Sequence, residues 1–324
     1  MKVLVTGGAG YIGSHVVRRL LQKNHEVIML DNLSRGHIES VPKEAVFIKG
    51  DLADKKVLEK LFSEYKIDAV MHFAAFAYVG ESIKEPKKYF KNNVENGLNL
   101  LDACARHGVK KFIFSSSCAV YGTPENLPIT EDSKKHPESP YGETKMIFEN
   151  HLADYDRKHG LKFISLRYFN AAGADDSGEI GEHHDPETHL IPLVLGVALG
   201  KRENIAIFGK DYPTNDGTCM RDYVHVNDLA DAHLLALENL GKESKFYNVG
   251  TGSGYSVKEI VDACTKITGH DIPVVDEARR QGDPPALYAD SSKIKKELGW
   301  KPKYDLGRII ETAWKWHKNH PNGY

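Results

Sequence analysis

The sequence predicts an α/β fold, a doubly wound parallel sheet that carries a smaller C-terminal α/β lobe. Three observations predict it. Short β-branched runs alternate with longer stretches of helical period through the first half of the chain, the pattern of βαβ units. The strand runs are apolar almost throughout, as expected where helices cover both faces of a sheet. After Asn170 the rhythm breaks into segments rich in Gly, Pro, Asp and His, which reads as an added lobe built partly from long loops.

In chain order, residues 3–6 read as a strand, 11–23 as a helix and 26–30 as a strand. Residues 45–49 form a strand, 55–65 a helix and 69–73 a strand. A long helix covers 86–107, a strand 111–115, a helix 142–159 and a strand 163–167. Beyond the break, 228–239, 256–268 and 306–320 keep a helical period. This divides the chain into residues 1–170 and 171–324, with 225–250 expected to pack back on the first part. No fixed-period repeat or low-complexity linker separates them, so the two parts are expected to share an interface.

Composition narrows the functional classes. The 324 residues hold 43 Lys plus Arg against 45 Asp plus Glu, a net charge of −2. That balance offers nothing to a nucleic acid or an acidic membrane. No apolar run approaches the ~20 residues that span a bilayer, and the chain opens on the strand-like Lys2-Val3-Leu4-Val5-Thr6 rather than a leader. The four cysteines, Cys104, Cys118, Cys219 and Cys264, are scattered without a C-x-x-C pair. Reduced thiols and a cytoplasmic protein are expected.

The first motif is Gly7-Gly8-Ala9-Gly10-Tyr11-Ile12-Gly13, directly after a strand and opening a helix. Such a turn lets a diphosphate approach the backbone without a Cβ in the way, facing the free N–H groups of the helix. Glycine spacing alone equally marks any tight turn. The next strand, however, ends in Asp31, eighteen positions beyond Gly13, where a carboxylate can accept from adenosine ribose hydroxyls. Together these imply a Rossmann-type dinucleotide site. The carboxylate would repel a 2′-phosphate, which favours NAD over NADP, although Arg35 nearby could soften that preference.

The second motif is Tyr141-x-x-x-Lys145. Positions i and i+4 share a helix face, and an ammonium beside a phenol is expected to lower its pKa. That would suit Tyr141 as a base for a sugar hydroxyl. In isolation such a pair fits an ordinary helix start with a solvated lysine. A run of serines at 115–117 following a strand adds hydroxyls where ligands sit in such sheets.

In this order the motifs resemble the nucleotide-sugar epimerases of the extended short-chain dehydrogenase/reductase family. The resemblance spans essentially the whole chain. It rests on the glycine turn, Leu30-Asp31-Asn32-Leu33-Ser34, His72-Phe73-Ala74-Ala75, Val120-Tyr121-Gly122, Arg167-Tyr168-Phe169-Asn170 and Arg221-Asp222-Tyr223-Val224-His225-Val226. It implies interconversion of UDP-galactose and UDP-glucose by transient hydride transfer between sugar C4 and tightly bound NAD. Tyr141 would be the acid/base, Lys145 its electrostatic partner, and Ser117 the hydroxyl on the reacting sugar. Gly7, Gly10, Tyr11, Ile12, Gly13, Asp31, Asn32, Leu33 and Ser34 would hold NAD, joined by Asp51 and Leu52 at the adenine. Phe73, Ala74, Ala75, Ala77, Asn92, Ser115 and Phe169 complete that implied set.

On the substrate side the resemblance implies Asn170, His189, Leu190, Ala206, Phe208, Arg221, Tyr223, Arg280, Asp283 and Leu287. Guanidinium forks suit phosphate oxygens, and Phe208 offers a stacking face for uracil. Three positions depart from better-known members. Ala77 stands where some carry a lysine, and His189 replaces an asparagine. Leu287 occupies a pocket wall where a tyrosine excludes N-acetylated sugars, so UDP-GlcNAc and UDP-GalNAc are candidate additional substrates. A homodimer through the helices at 86–107 and 142–159 is also implied. Alternatives within the same chemistry are another epimerase, a decarboxylase or a 4,6-dehydratase. The dehydratase lacks support, because Ser117-Cys118-Ala119-Val120-Tyr121-Gly122 has no Asp-Glu pair. A non-catalytic NAD sensor would not need Ser117, Tyr141 and Lys145 together. No metal is expected: the run holding Glu182, His183, His184, Asp185, Glu187 and His189 reads as a solvated loop.

Overall fold

A computed structural model describes residues 1–280 and 283–324 of the chain. The first part builds a seven-stranded parallel sheet from β1 (Lys2–Thr6), β2 (Glu26–Asp31), β3 (Val46–Lys49), β4 (Ala69–His72), β5 (Lys111–Ser117), β6 (Lys162–Tyr168) and, from later in the chain, β10 (Lys245–Val249). The order is β10-β6-β5-β4-β1-β2-β3. Winding reverses between β1 and β4, so the two crossovers leave a crevice at the C-terminal ends of those strands, where ligands bind in such sheets. Three helices begin beside this end: α1 (Tyr11–Gln22), α2 (Lys55–Glu64) and α3 (Val79–Lys84).

The period-two alternation of each strand separates two cores. Val3 and Val5 face one side, with Met29 and Met71, and pack on Val16, Val17 and Leu20 of α1. Leu4 faces the other side, with Ile28, Val70 and Phe112, under helices on that face. Leu4 is fully buried; each such side chain contributes about 1.5–3 kcal/mol. The second face is covered by α4 (Pro86–Tyr89), a wide π turn at Phe90–Glu95, α5 (Asn96–Arg106) and α6 (Pro140–His159). Ser139 caps α6 by accepting from the Gly142 N–H at 3.1 Å, Pro140 suits its first position, and Gly160 at φ +66° ends it.

The remainder comprises β7 (Asn170–Ala172), α7 (Leu190–Ala198), β8 (Ile205–Phe208), β9 (Met220–His225), α8 (Val226–Asn239), β11 (Gly254–Ser256), α9 (Val257–Thr268), β12 (Val274–Glu277), β13 (Ala286–Leu287), α10 (Ser292–Leu298) and α11 (Leu306–Asn319). Strand β10 pairs with β6, and α8 joins the core around α1. Strands β11, β9 and β13, with β7 beside β9, form a separate sheet, and β12 pairs with β8. A further core gathers Val194, Leu195, Ile260, Ile309 and Ile310 between α7, α9 and α11. Among the described residues no helix is long and apolar enough to cross a membrane.

The structure corrects the expected elements in three places. Ser116 and Ser117 do not follow β5 but belong to it, since Ser117 is still paired with Tyr168 of β6. The expected single helix at 86–107 contains the π turn. There Asn93 accepts from the Phe76 N–H and donates to the Phe76 carbonyl, both at 2.9 Å, so the wider turn anchors the chain entering α3. Helices α3 and α7 escaped the periodicity. The first is only six residues long, and the second, Leu-Ile-Pro-Leu-Val-Leu-Gly-Val-Ala, has no polar face to reveal a period.

Four buried histidines make the fold acid-sensitive. Burial pushes His15 and His233 down to about 4, and His72 and His225 down to about 3. The unfolded chain therefore takes up protons below pH ~6.5 that the fold refuses. Burial also raises Asp228 to about 6 and lifts Asp31, Glu131 and Asp222, which works in the opposite sense, but the four histidine shifts are the larger. Tm is expected to fall steadily as pH drops from about 6.5 toward 4. A calorimetric midpoint that is flat or rising over that interval would contradict this reading.

Candidate active site

The crevice opens into a cleft of about 1190 Å³ that extends from the first glycine turn to the second lobe. At one end, β1 feeds the turn before α1. Gly7 sits at φ +73°, and a Cβ there would lie 2.5 Å from the Ala74 nitrogen. A Cβ on Gly13 would meet the Gly7 oxygen at 2.2 Å. Both positions thus require glycine, one for conformation and close approach, the other for helix–strand packing. No side chain caps α1, and Gly10, Tyr11, Ile12 and Gly13 line the cleft. The first-turn N–H groups and the positive end of the helix dipole are therefore free to take an anion.

Asp31 ends β2 on the same wall. Its carboxylate accepts from the Ala9 N–H at 3.0 Å and the Leu33 N–H at 2.8 Å, while burial raises its pKa. Asn32 donates to Asp51 at 2.6 Å. Asn32, Ser34, Asp51, Leu52, Phe73, Ala74, Ala75, Ala77 and Asn92 all reach the wall. Leu33 does not: at φ +60° it shapes the turn behind Asp31. Arg35 lines the cleft but is engaged, 3.3 Å from Glu81 and 4.8 Å above the Tyr78 ring.

Further along, Ser115, Ser117, Tyr141, Lys145 and Phe169 share the wall. Tyr141 lies in the first turn of α6 and Lys145 one turn on. The electrostatics differ from the expectation. Lys145 donates to the Ser115 carbonyl at 2.7 Å, and its Nζ is 5.8 Å from the Tyr141 ring centre. Burial pushes Tyr141 up to about 12, against a hydrogen bond with Ser117, and pushes Lys145 down to about 7, against the charge of Glu149. Desolvation of both groups outweighs their mutual attraction here, so the lysine does not make the phenol acidic by itself.

Sequence reasoning missed Glu149. It lies one further turn along α6 and is 1% exposed. Its carboxylate accepts from Arg167 at 2.7 and 2.8 Å, from Ser116 at 2.8 Å and from Ser165 at 2.9 Å. The i, i+4, i+8 spacing of Tyr141, Lys145 and Glu149 could have revealed it. Tyr168, hydrogen-bonded to Ser115 and lining the cleft, was missed as well.

On the second lobe the structure brings Asn170, His189, Arg221, Arg280, Asp283 and Leu287 to the cleft. Arg221 donates to the Pro284 carbonyl at 3.0 Å and to Asp283 at 3.1 Å. Leu190, Ala206, Phe208 and Tyr223 are not on its wall. Leu190 opens α7 and packs toward the lobe's core, Ala206 and Phe208 lie in β8, and Tyr223 is buried in β9. The Phe208 ring, expected to be free for stacking, is covered by the Arg280 guanidinium at 3.9 Å.

The expected solvated loop before α7 is instead drawn together. Glu182 is 3% exposed. His189 lies 2.7 Å from Glu182 and 3.1 Å from Glu187, and His184 lies 3.3 Å from Glu182. Burial alone would lower both imidazoles, but the two carboxylates raise His184 to about 9 and His189 to about 10. Mutual charge neutralisation is what lets these polar groups draw together with Glu182 buried.

Comparison with known proteins places this geometry among relatives. Residues 3–250 match the NAD dependent epimerase/dehydratase family. A UDP-glucose 4-epimerase of Halalkalibacterium halodurans is 51% identical over all of this chain and 98% of its own length. The crystal structure of a UDP-glucose 4-epimerase from Brucella ovis in complex with NAD is 49% identical, with a TM-score of 0.94 over 97% of each chain. That of a UDP-glucose 4-epimerase from Bifidobacterium longum in complex with NAD+ and UDP is 41% identical, with a TM-score of 0.95 over all of both chains.

Proposed function

Because the chain belongs to the NAD dependent epimerase/dehydratase family, we propose that it is an isomerase that interconverts UDP-galactose and UDP-glucose with NAD as its cofactor. The observation that carries this reading is one continuous cleft with the glycine turn and Asp31 at one end, Ser117, Tyr141 and Lys145 midway, and Arg221, Arg280 and Leu287 at the other. The glycine turn fits a dinucleotide, since it leaves the uncapped N-terminus of α1 facing the cleft. Gly7, the α1 N-terminus, Asp31, Asn32, Asp51 and Lys145 would hold it. When bound, NAD supplies the hydride acceptor and donor for sugar C4 and a positive charge in the cleft.

The protein's own residues handle the proton and the orientation. Tyr141 takes the proton of the sugar 4-hydroxyl and later returns it. Ser117, on the same wall and lowering the cost of the Tyr141 phenolate, orients that hydroxyl. The added cationic charge lowers the cost of the phenolate that burial alone disfavours. Arg221 and Arg280 would grip the diphosphate, so the sugar can turn over while its tail stays fixed. Cys118 and Ala119 line the cleft where elimination of water would need a carboxyl pair, which favours epimerisation over 4,6-dehydration. Incubating the purified protein with UDP-galactose and no added nucleotide should yield UDP-glucose, read by proton NMR. A 4-keto-6-deoxy product, or no product, would overturn the reading.

Leu287 bears on substrate range. It sits on β13 beside Arg221 of β9 and lines the cleft. Leucine leaves more room than tyrosine, so UDP-GlcNAc is proposed as a slower second substrate. Leu287→Tyr should lower kcat/KM for UDP-GlcNAc at least about tenfold, the scale of one pocket contact, while UDP-glucose turnover changes little. Equal losses for both sugars would remove Leu287 as the selector. Homodimerisation through α5 and α6 belongs to the same proposal, and light scattering at the mass of one chain would exclude it.

A further inference from the structure

The cluster before α7 takes no part in the proton transfer assigned to Tyr141 and Ser117, yet its geometry is that of a ligand set. We propose that Glu182, His184, Glu187 and His189 form a binding site for a divalent transition-metal ion, Zn²⁺ by preference, in the wall of the cleft. One donor atom from each residue lies within 4.8 Å of all the others. A tetrahedral zinc with bonds of 2.0–2.2 Å separates its ligand atoms by about 3.3 Å. The measured pairs bracket that value: His189 Nδ1 is 2.7 Å from Glu182 Oε1 and 3.1 Å from Glu187 Oε1, while His184 Nδ1 is 3.3 Å from Glu182 Oε1 and 3.7 Å from Glu187 Oε2. The other two donor pairs also lie within 4.8 Å.

A second observation is independent of the clustering. His184 Nδ1 is buried and makes no hydrogen bond, despite its carboxylate neighbours. A buried polar atom left without a bond is costly, and a coordinate bond would satisfy it. The surrounding shell is also built for rigidity. Glu187 Oε1 accepts from the Thr188 N–H at 2.7 Å and the His189 N–H at 2.8 Å, and the His184 ring stands edge-on to Tyr11 and Tyr78. Such outer contacts orient metal ligands.

Donor chemistry sets the preference. Binding displaces one proton from each imidazole; the two neutral imidazoles and two carboxylates then cancel the charge of a divalent ion, and imidazole favours zinc or its neighbours over magnesium and calcium, which take oxygen ligands. All four residues line the cleft, so an ion has a path in. His189 is half-open to it, and Glu182 closes the inner side.

The test uses the full chain with its bound cofactor, prepared without a histidine tag and stripped of metal by a chelator. Calorimetric titration with ZnCl₂ should give one ion per chain, and CoCl₂ should give the visible absorption of four-coordinate cobalt. His184→Gln and Glu187→Gln should each weaken zinc binding at least about tenfold and abolish the cobalt spectrum. Circular dichroism checks that each variant is folded, and either folded variant suffices. No stoichiometric zinc on the parent chain, unchanged affinity in a folded variant, or magnesium bound as tightly as zinc would each overturn the proposal.

Discussion

Tyr141→Phe is expected to lower epimerase turnover by about 10²–10⁴-fold, the range for loss of a general acid/base, while the protein keeps its nicotinamide nucleotide. The substitution removes one oxygen and leaves the ring. Tyr141 lies at the start of α6 between Ser117 and Lys145. The glycine turn, Asp31 and Asp51 that would retain the nucleotide occupy the other end of the cleft. Loss should fall on kcat with KM little changed, because the diphosphate grip on the second lobe is untouched. Absorbance of nucleotide released on denaturation, compared between parent and variant, checks retention. Turnover within a few-fold of the parent would remove Tyr141 as the proton carrier.

Glu149→Gln is expected to have the largest effect on stability. Glu149 and Arg167 form a buried pair, 1% and 2% exposed at their side chains, with Arg167 stacked at 4.6 Å over Phe246. The carboxylate also accepts from Ser116 and Ser165. An amide keeps the shape but loses the charge and turns donors toward donors. Leaving Arg167 uncompensated costs about 3–5 kcal/mol, a Tm loss of roughly 10 °C for a chain of this size. The double change Glu149→Gln with Arg167→Met should recover part of that loss, since the uncompensated guanidinium is gone. A calorimetric Tm within about 2 °C of the parent would show that the pair contributes little. Activity should fall as well, because Glu149 is the charge that opposes burial in keeping Lys145 protonated.

The sheet was legible because its strands are short and apolar on both faces. Val3, Leu4 and Val5 alternate between two cores, and each crossover helix carries one apolar stripe. Gly7 and Gly13 were legible because a Cβ at either would collide with backbone, and Asp31 because it is the carboxylate that ends the strand after the glycine turn. What escaped was set by tertiary contact. Ser116 and Ser117 read as lying beyond the strand until β6 pairs with them. Glu149 looks like any helix-surface acid until Arg167 arrives from β6. Glu182 to His189 looks solvated because its residues are polar, and only the fold shows that they neutralise one another. The Phe208 face also read as open, whereas Arg280 lies on it. The electrostatic sign at Tyr141 was beyond pattern reading altogether, since desolvation depends on neighbours distant in sequence.

The central claim is that sugar C4 is oxidised and then reduced within one closed cleft. Its most direct test is UDP-galactose carrying deuterium at C4, turned over to equilibrium in ordinary water. Mass and NMR spectra should show the deuterium still at C4 in both UDP-galactose and UDP-glucose. Replacement of that deuterium by solvent hydrogen would mean inversion by proton abstraction, and the account given for Tyr141 and the bound nucleotide would fail.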